Sequence, residues 1–118
     1  MTAEPVAIAL NDAADVLTVE FDDGRRFDLD AEYLRVFSPS AEVQGHTPDQ
    51  ATLQTGKRMV TIKRVDPMGD YALSIKFSDA HSTGIYTWEY LYALGAERET
   101  RWADYLRRLE AAGASRDL

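Results

Sequence analysis

Val6, Ile8 and Leu10 alternate with small neighbours, and Leu17, Val19 and Phe21 repeat the pattern after residues 11–15. Period-two alternation sends every second side chain to one face, so the pattern predicts two strands, each with one buried face, joined by a turn. Asp22-Asp23-Gly24-Arg25 follows, and an Asp-Gly pair reverses a chain through positive φ at little steric cost. Phe27 and Leu29 then resume the alternation, which predicts a three-strand meander.

The spacing changes after residue 30. Tyr33, Leu34 and Phe37 fit one or two helical turns over residues 31–37, with Asp30 as the cap and Pro39 close behind the end. Residues 38–54 contain Pro39, Gly45 and Pro48 and are expected to form a long connection, with room for a short strand; loops of that length are often functional. Residues 59–65 and 71–77 predict two further strands, joined by a Pro- and Gly-bearing turn at 66–70. Residues 83–86 predict a short last strand. Thr87 is a good N-cap for a helix through Trp88 and Leu91 that Gly95 stops or bends. Trp102, Tyr105, Leu106 and Leu109 share a helical face, Glu97 with Arg101 and Asp104 with Arg108 make i, i+4 pairs, and Gly113 ends the helix.

The expected fold is therefore α+β: an antiparallel sheet of about five or six strands, a short mid-chain helical turn and two C-terminal helices. The 118 residues form one domain, with residues 1–5 and 114–118 expected to be loose. Hydrophobic residues at 45% and charged residues at 28% suit one modest core and not a disordered chain. No residue is a cysteine, which excludes a disulfide framework, a thiolate nucleophile and a cysteine-held metal within the chain. A signal-peptide pattern and a run of about 18 apolar residues are both missing, so no membrane role is expected and the cytoplasm is the expected location.

A net charge of −7 argues against nucleic acid, which is normally bound through a basic surface. The charge is unevenly spread: residues 1–50 carry eleven acids and three bases, residues 51–118 nine acids and ten bases, for −8 and +1. Lys57, Arg58, Lys63, Arg64 and Lys76 could line a basic strip, but solvated surface is the plainer reading. Asp22, Asp23, Asp28 and Asp30 cluster without the closing Glu of a calcium loop. Tyr86, Trp88, Tyr90, Tyr92, Trp102 and Tyr105 suggest core packing before a stacking platform. His46 and His81 are the two histidines, and neither has a sequence partner that would make it catalytic. Phosphate-binding glycine loops, nucleophile elbows and zinc-protease helices do not occur.

Four segments taken in order, Asp22-Asp23-Gly24-Arg25-Arg26-Phe27, Tyr33-Leu34-Arg35, Ser38-Pro39-Ser40-Ala41-Glu42-Val43 and Gly84-Ile85-Tyr86-Thr87-Trp88-Glu89-Tyr90-Leu91, carry a resemblance. The chain resembles the gamma-butyrobetaine hydroxylase-like N-terminal domain over residues 6–112, as a stand-alone bacterial member of unknown function. In the parent oxygenases this domain precedes an iron- and 2-oxoglutarate-dependent catalytic domain, and holds a structural zinc on a Cys-Pro-Cys-x-x-Cys segment plus a later histidine. The corresponding positions here are Ser38, Ser40, Val43 and His81. Only the histidine retains a zinc-binding side chain, so the resemblance implies a degenerate zinc site and a fold that forms without metal. Hydroxylase activity is not expected, because the 118 residues include no catalytic double-stranded β-helix.

The same domain is similar to the C-terminal piece of a plant chloroplast P-loop ATPase that carries iron–sulfur clusters, which implies an association with metal-cofactor assembly. Without cysteine this chain cannot hold a cluster itself. The expected function is thus a non-catalytic accessory or protein-interaction domain with no cofactor. Its partner is expected to be a protein, such as a P-loop ATPase or a cofactor-assembly factor, and its contact residues Tyr33, Arg35, His46, Tyr86 and Trp88. The alternative is a weak metal or small-molecule sensor built on His46, His81 and nearby acids.

Overall fold

Two tight turns with different chemistry build the first sheet. In the first, the Asn11 side-chain carbonyl accepts from the Asp15 and Val16 amides at 3.0 and 3.1 Å. In the second, Gly24 takes a φ of 87°, the conformation that the Asp-Gly pair predicts. The computed structural model describes residues 3–44 and 52–117. Strands β1 (Pro5–Leu10), β2 (Val16–Phe21) and β3 (Arg26–Asp30) are antiparallel in the order β1-β2-β3.

Leu17, Val19, Phe21 and Leu29 are buried on one face, as their alternation requires. β1 departs from expectation. Ile8 pairs with Val19 and Leu10 with Leu17, so they point to the core face, yet Val6, Ile8 and Leu10 are 63, 39 and 40% exposed. β1 is the outer strand of its sheet and overhangs the core without being covered by it.

Strands β4 (Ile62–Met68), β5 (Ala72–Phe77) and β6 (Ile85–Thr87) form a second antiparallel sheet, in the order β4-β5-β6. The six strands therefore divide between two three-stranded sheets, which corrects the single sheet expected from the sequence. Between β3 and β4 the chain leaves the first sheet through helical structure. It returns with Ile62 N donating to Ala14 O in the β1–β2 turn at 2.7 Å, and no ladder forms between β1 and β4 among the described residues. β4 also runs into the expected turn at 66–70 and shortens it to a reversal at Gly69, with φ 56°. Pro67 can lie in this strand because β4 is an edge, where a missing N–H breaks no ladder.

Helix α1 (Ala31–Val36) is buried throughout, and α2 (Ala41–Gln44) occupies part of the connection expected over residues 38–54. Helices α3 (Trp88–Ala96) and α4 (Arg98–Ala111) follow. Thr87 caps α3 as expected, its hydroxyl accepting from Tyr90 N at 3.1 Å. Gly95 lies inside α3, and the break comes at Glu97. The glycine is there because a Cβ would overlap the Phe27 ring of β3. Glu97 and Arg101 pair at 3.2 Å, and Asp104 and Arg108 at 3.1 Å.

The C-terminal segment is tied down. Arg116 grips the buried Glu32 carboxylate through two hydrogen bonds of 2.7 and 2.5 Å, and Arg58 pairs with Asp117 at 2.5 Å. Side chains from both sheets and from α1, α3 and α4 share one hydrophobic core. No helix among the described residues is long and apolar enough to cross a membrane.

Candidate functional site

α1 ends at Phe37, and the chain passes directly into Ser38-Pro39-Ser40, which leads into α2. The turn that follows β5 carries Asp79 and His81 against the same place. Ser38, Ser40, Val43 and His81 are all buried. The residues that the resemblance sets in correspondence with a zinc site are thus brought together, but by hydrogen bonds.

The Ser38 hydroxyl is 2.8 Å from His81 Nε2, and the other ring nitrogen, Nδ1, is 3.3 Å from a Glu42 carboxylate oxygen. Burial, followed by the Arg35 guanidinium, lowers the His81 pKa, outweighing the opposing pull of Glu42 and Asp79. The ring is therefore neutral at pH 7. This assigns the proton to Nδ1, facing Glu42, so that Nε2 accepts from Ser38. Ser38 Oγ in turn accepts from Ser40 N at 3.3 Å, so both of its functions are used. Ser40 Oγ meets Thr83 Oγ1 at 2.6 Å and accepts from Glu42 N at 3.2 Å. Gln44 closes the segment by donating to Ser38 O at 2.9 Å.

Zinc does not fit this donor set. Two neutral hydroxyls and a valine stand beside one imidazole, and that imidazole already has both nitrogens engaged. Among the described residues no group of three or more His, Cys, Asp and Glu is placed to hold a metal. The order hydroxyl, imidazole, carboxylate also evokes a nucleophilic triad, but Ser38 is completely buried. A Cβ on Gly84 would lie 2.6 Å from its oxygen, which shows how tightly that oxygen is walled in. No acyl group can approach it.

A charged layer lies beneath. One carboxylate oxygen of Asp79 accepts from Arg35 Nε at 2.8 Å and from Lys57 Nζ at 2.7 Å, while the other accepts from His81 N at 3.3 Å. Burial alone would raise the Asp79 pKa. The hydrogen bonds from Lys57, Arg35 and the His81 amide together overcome it and bring the pKa down to about 2. Asp79 was not visible from the sequence, where residues 78–82 read as a plain turn. Its only signal was an Asp two positions before a histidine, a spacing that suits a side chain bonding its own backbone.

Three tyrosines fasten α1 in place. Tyr86 donates to Leu34 O and Tyr90 to Phe37 O, both at 2.5 Å, which satisfies carbonyls at the helix end that have no partner within it. Tyr33 donates to Leu94 O of α3 at 2.6 Å. Tyr33, Arg35 and Tyr86 are buried, so these three expected contact residues build the junction and present little surface. Trp88 is half-buried, with its indole N–H on Asp70 O at 2.6 Å. His46 lies outside the described residues.

Of the five residues that could line a basic strip, three are paired with acids: Lys57 with Asp79, Arg58 with Asp117, and Arg64 with Asp66 at 2.7 Å. What the surface does offer is a groove of about 500 Å³ between the outer strands of the two sheets. Ile8 and Leu10 of β1 form one bank and Lys63, Val65 and Pro67 of β4 the other, with Trp88 among the lining residues.

The family model described as gamma-butyrobetaine hydroxylase-like, N-terminal, matches residues 8–92. The chain belongs to this family. Two relatives known from NMR solution structures are 47 and 43% identical, with TM-scores of 0.85 and 0.83. The matches cover 99 and 98% of this chain, and 92 and 86% of those chains. A crystal structure of a protein of unknown function from Acidithiobacillus ferrooxidans, of the DUF971 family, is 39% identical, with a TM-score of 0.67. That match covers 80% of this chain and 94% of that one. No match is found among curated proteins. The family therefore includes stand-alone domains of unknown function, and among the described residues nothing in this member's geometry points to catalysis.

Proposed function

We propose that the chain is a non-catalytic accessory domain that docks onto an extended segment of a partner protein along the groove between β1 and β4. The observation that carries this reading is the exposure of Val6, Ile8 and Leu10 on a six-residue strand that bears no charge. Natural edge strands are usually guarded by charge, proline or a covering element; β1 has only Pro5 at its start, which leaves residues 6–10 as a template for another strand. β1 and β4 are each hydrogen-bonded on one side, and both flank the same apolar groove. An extended segment can pair its backbone with such an edge and place alternate side chains into the groove. Lys63 on the β4 bank favours a segment that also carries an acidic residue. The family likeness to the ATPase-borne domain makes a P-loop ATPase or another cofactor-assembly factor the favoured class of partner.

Photo-crosslinking of the full chain in its native cells tests this, with benzoylphenylalanine at Ile8, at Lys63, or at Leu106 on α4 as a control. The reading expects one shared protein adduct from the first two positions, mapped to an extended apolar and acidic segment, and none from the third. Adducts that are absent, equal at all three positions, or formed with a second copy of this chain contradict it.

A further inference from the structure

The docking groove has two banks, and the phase of the hydrogen bonds in each strand decides which bank can receive another strand. Residues of an antiparallel ladder alternate, one turning its N–H and C=O to the neighbouring strand and the next turning them away. Asn11 N donates to Val16 O at 3.1 Å and so fixes the phase of β1. Leu10 with Leu17 and Ile8 with Val19 are then pairs without hydrogen bonds, because they stand one and three residues from that bond in an unbroken register. β2 agrees from its other side. Phe21 N donates to Arg25 O at 2.8 Å, which turns the backbone groups of Val19 and Leu17 to β3. Ile8 and Leu10 therefore direct N–H and C=O out of the open edge of the first sheet, where no described residue bonds them.

β4 has an outward row too, but a guarded one. Trp88 N donates to Tyr71 O at 3.0 Å, which turns the backbone groups of Leu73, two residues on, to β6. Its β4 partner Pro67 consequently faces outward, and so does Val65. Pro67 has no N–H to offer, and Lys63 adds a charge to the same bank. Proline and lysine are common guards of an exposed edge, and β1 carries neither over residues 6–10. A register shift between Pro5 and Ala7 ends the regular edge, so Ile8 and Leu10 are its two pairing residues.

We propose that the docked segment is a short β-strand that pairs with β1, and not with β4, through the N–H and C=O groups of Ile8 and Leu10. The choice rests on the docking proposed for the groove and names the edge that receives it. The first sheet gains a fourth strand outside β1. Partner residues beside Ile8 and Leu10 share their side of the sheet, so two side chains with one residue between them enter the groove over Leu17 and Leu73. The intervening residue shares the face of the exposed Ala9 and meets solvent. The partner is thus a protein segment of apolar–polar–apolar pattern, with β-branched residues such as valine or isoleucine favoured at the apolar positions.

The test is photo-crosslinking of the full chain in its native cells, with benzoylphenylalanine at Lys63 and a further change at one edge or the other. Leu10→Pro removes an outward N–H of β1, Leu10→Val keeps it, and Val65→Pro removes the outward N–H of β4. The adduct should map to an apolar–polar–apolar segment. Its yield should fall at least about fivefold with Leu10→Pro and stay within about twofold with the other two changes. Amide exchange of the purified adduct, compared with the free chain, should slow at Ile8 and Leu10 and not at Val65. That comparison uses an unaltered β1, so it decides the matter even if Leu10→Pro folds poorly. An adduct that persists with Leu10→Pro, is lost with Val65→Pro, or protects Val65 in place of Ile8 and Leu10 overturns the pairing with β1 and leaves docking in the groove intact. No adduct in the parent chain overturns both.

Discussion

Ser38 Oγ and His81 Nε2 lie 2.8 Å apart, each buried and each the other's polar partner. This contact ties the segment after α1 to the turn after β5 without a metal. Removing the hydroxyl strands a buried imidazole nitrogen and the Ser40 amide, so Ser38→Ala should cost about 1–3 kcal/mol. Urea unfolding measures it as a lower midpoint at unchanged slope. An unchanged midpoint would mean that the contact does not form.

Gly84 is bound to the same contact. A Cβ there would meet Ser38 Oγ at 2.6 Å and the Tyr86 ring at 3.1 Å. Gly84→Ala should therefore destabilise by about 1–3 kcal/mol through overpacking. In a Ser38→Ala background the oxygen is gone and the added methyl should cost less, though the Tyr86 ring keeps the relief partial. A double-mutant cycle checks this, and strictly additive costs would contradict the close approach.

Stability should fall with acid in two stages. The His81 pKa is lower in the folded chain than its ordinary 6.5, so the unfolded chain binds that proton first. The His81 contribution is complete above 6.5 and is lost as pH falls below it, through the folded value. Asp79 follows the same sign at lower pH. Its contribution is whole above the ordinary carboxyl value of 3.8 and disappears as pH falls through about 2. Denaturant melts across pH should show both limbs, and His81→Gln should remove the upper limb while sparing the lower one.

The tyrosine hydroxyls make a different kind of contribution. Tyr86→Phe leaves Leu34 O without its donor in the core, for a loss of about 1–3 kcal/mol. Tyr71, 54% exposed, is the control: Tyr71→Phe should stay within about 0.5 kcal/mol of the parent.

Wherever short-range chemistry decides the structure, the sequence was readable. The Asp-Gly turn at Gly24, the Thr87 cap, the Glu97–Arg101 pair and the alternation of β2 and β5 all form as their residues predict. Two sheets in place of one could not be read, because alternation reports which face of a strand is apolar and not which strand lies beside it. The exposure of β1 was hidden for a related reason. Val6, Ile8 and Leu10 have the spacing of a buried face, and only the edge position of their strand leaves them open.

The candidate site was legible as a set of positions and not as a chemistry. Family correspondence brought Ser38, Ser40, Val43 and His81 together, and the fold does place them at one junction. The hydrogen bonds that close it also need Glu42, Thr83 and Asp79, whose roles depend on contacts between distant segments. Tyr33, Arg35 and Tyr86 are singled out in the sequence by their place beside the Ser38–Val43 segment, and the structure shows them buried at that junction, with Tyr33 and Tyr86 on backbone carbonyls and Arg35 on Asp79.

The metal-free closure of the Ser38–His81 junction can be tested most directly by the ring-nitrogen NMR shifts of His81 at pH 7, with and without an equivalent of zinc. The account predicts a neutral ring protonated on Nδ1 with Nε2 accepting a hydrogen bond, and signals that zinc leaves unmoved. A cationic ring, the opposite tautomer, or a zinc-dependent shift at Nε2 would contradict it.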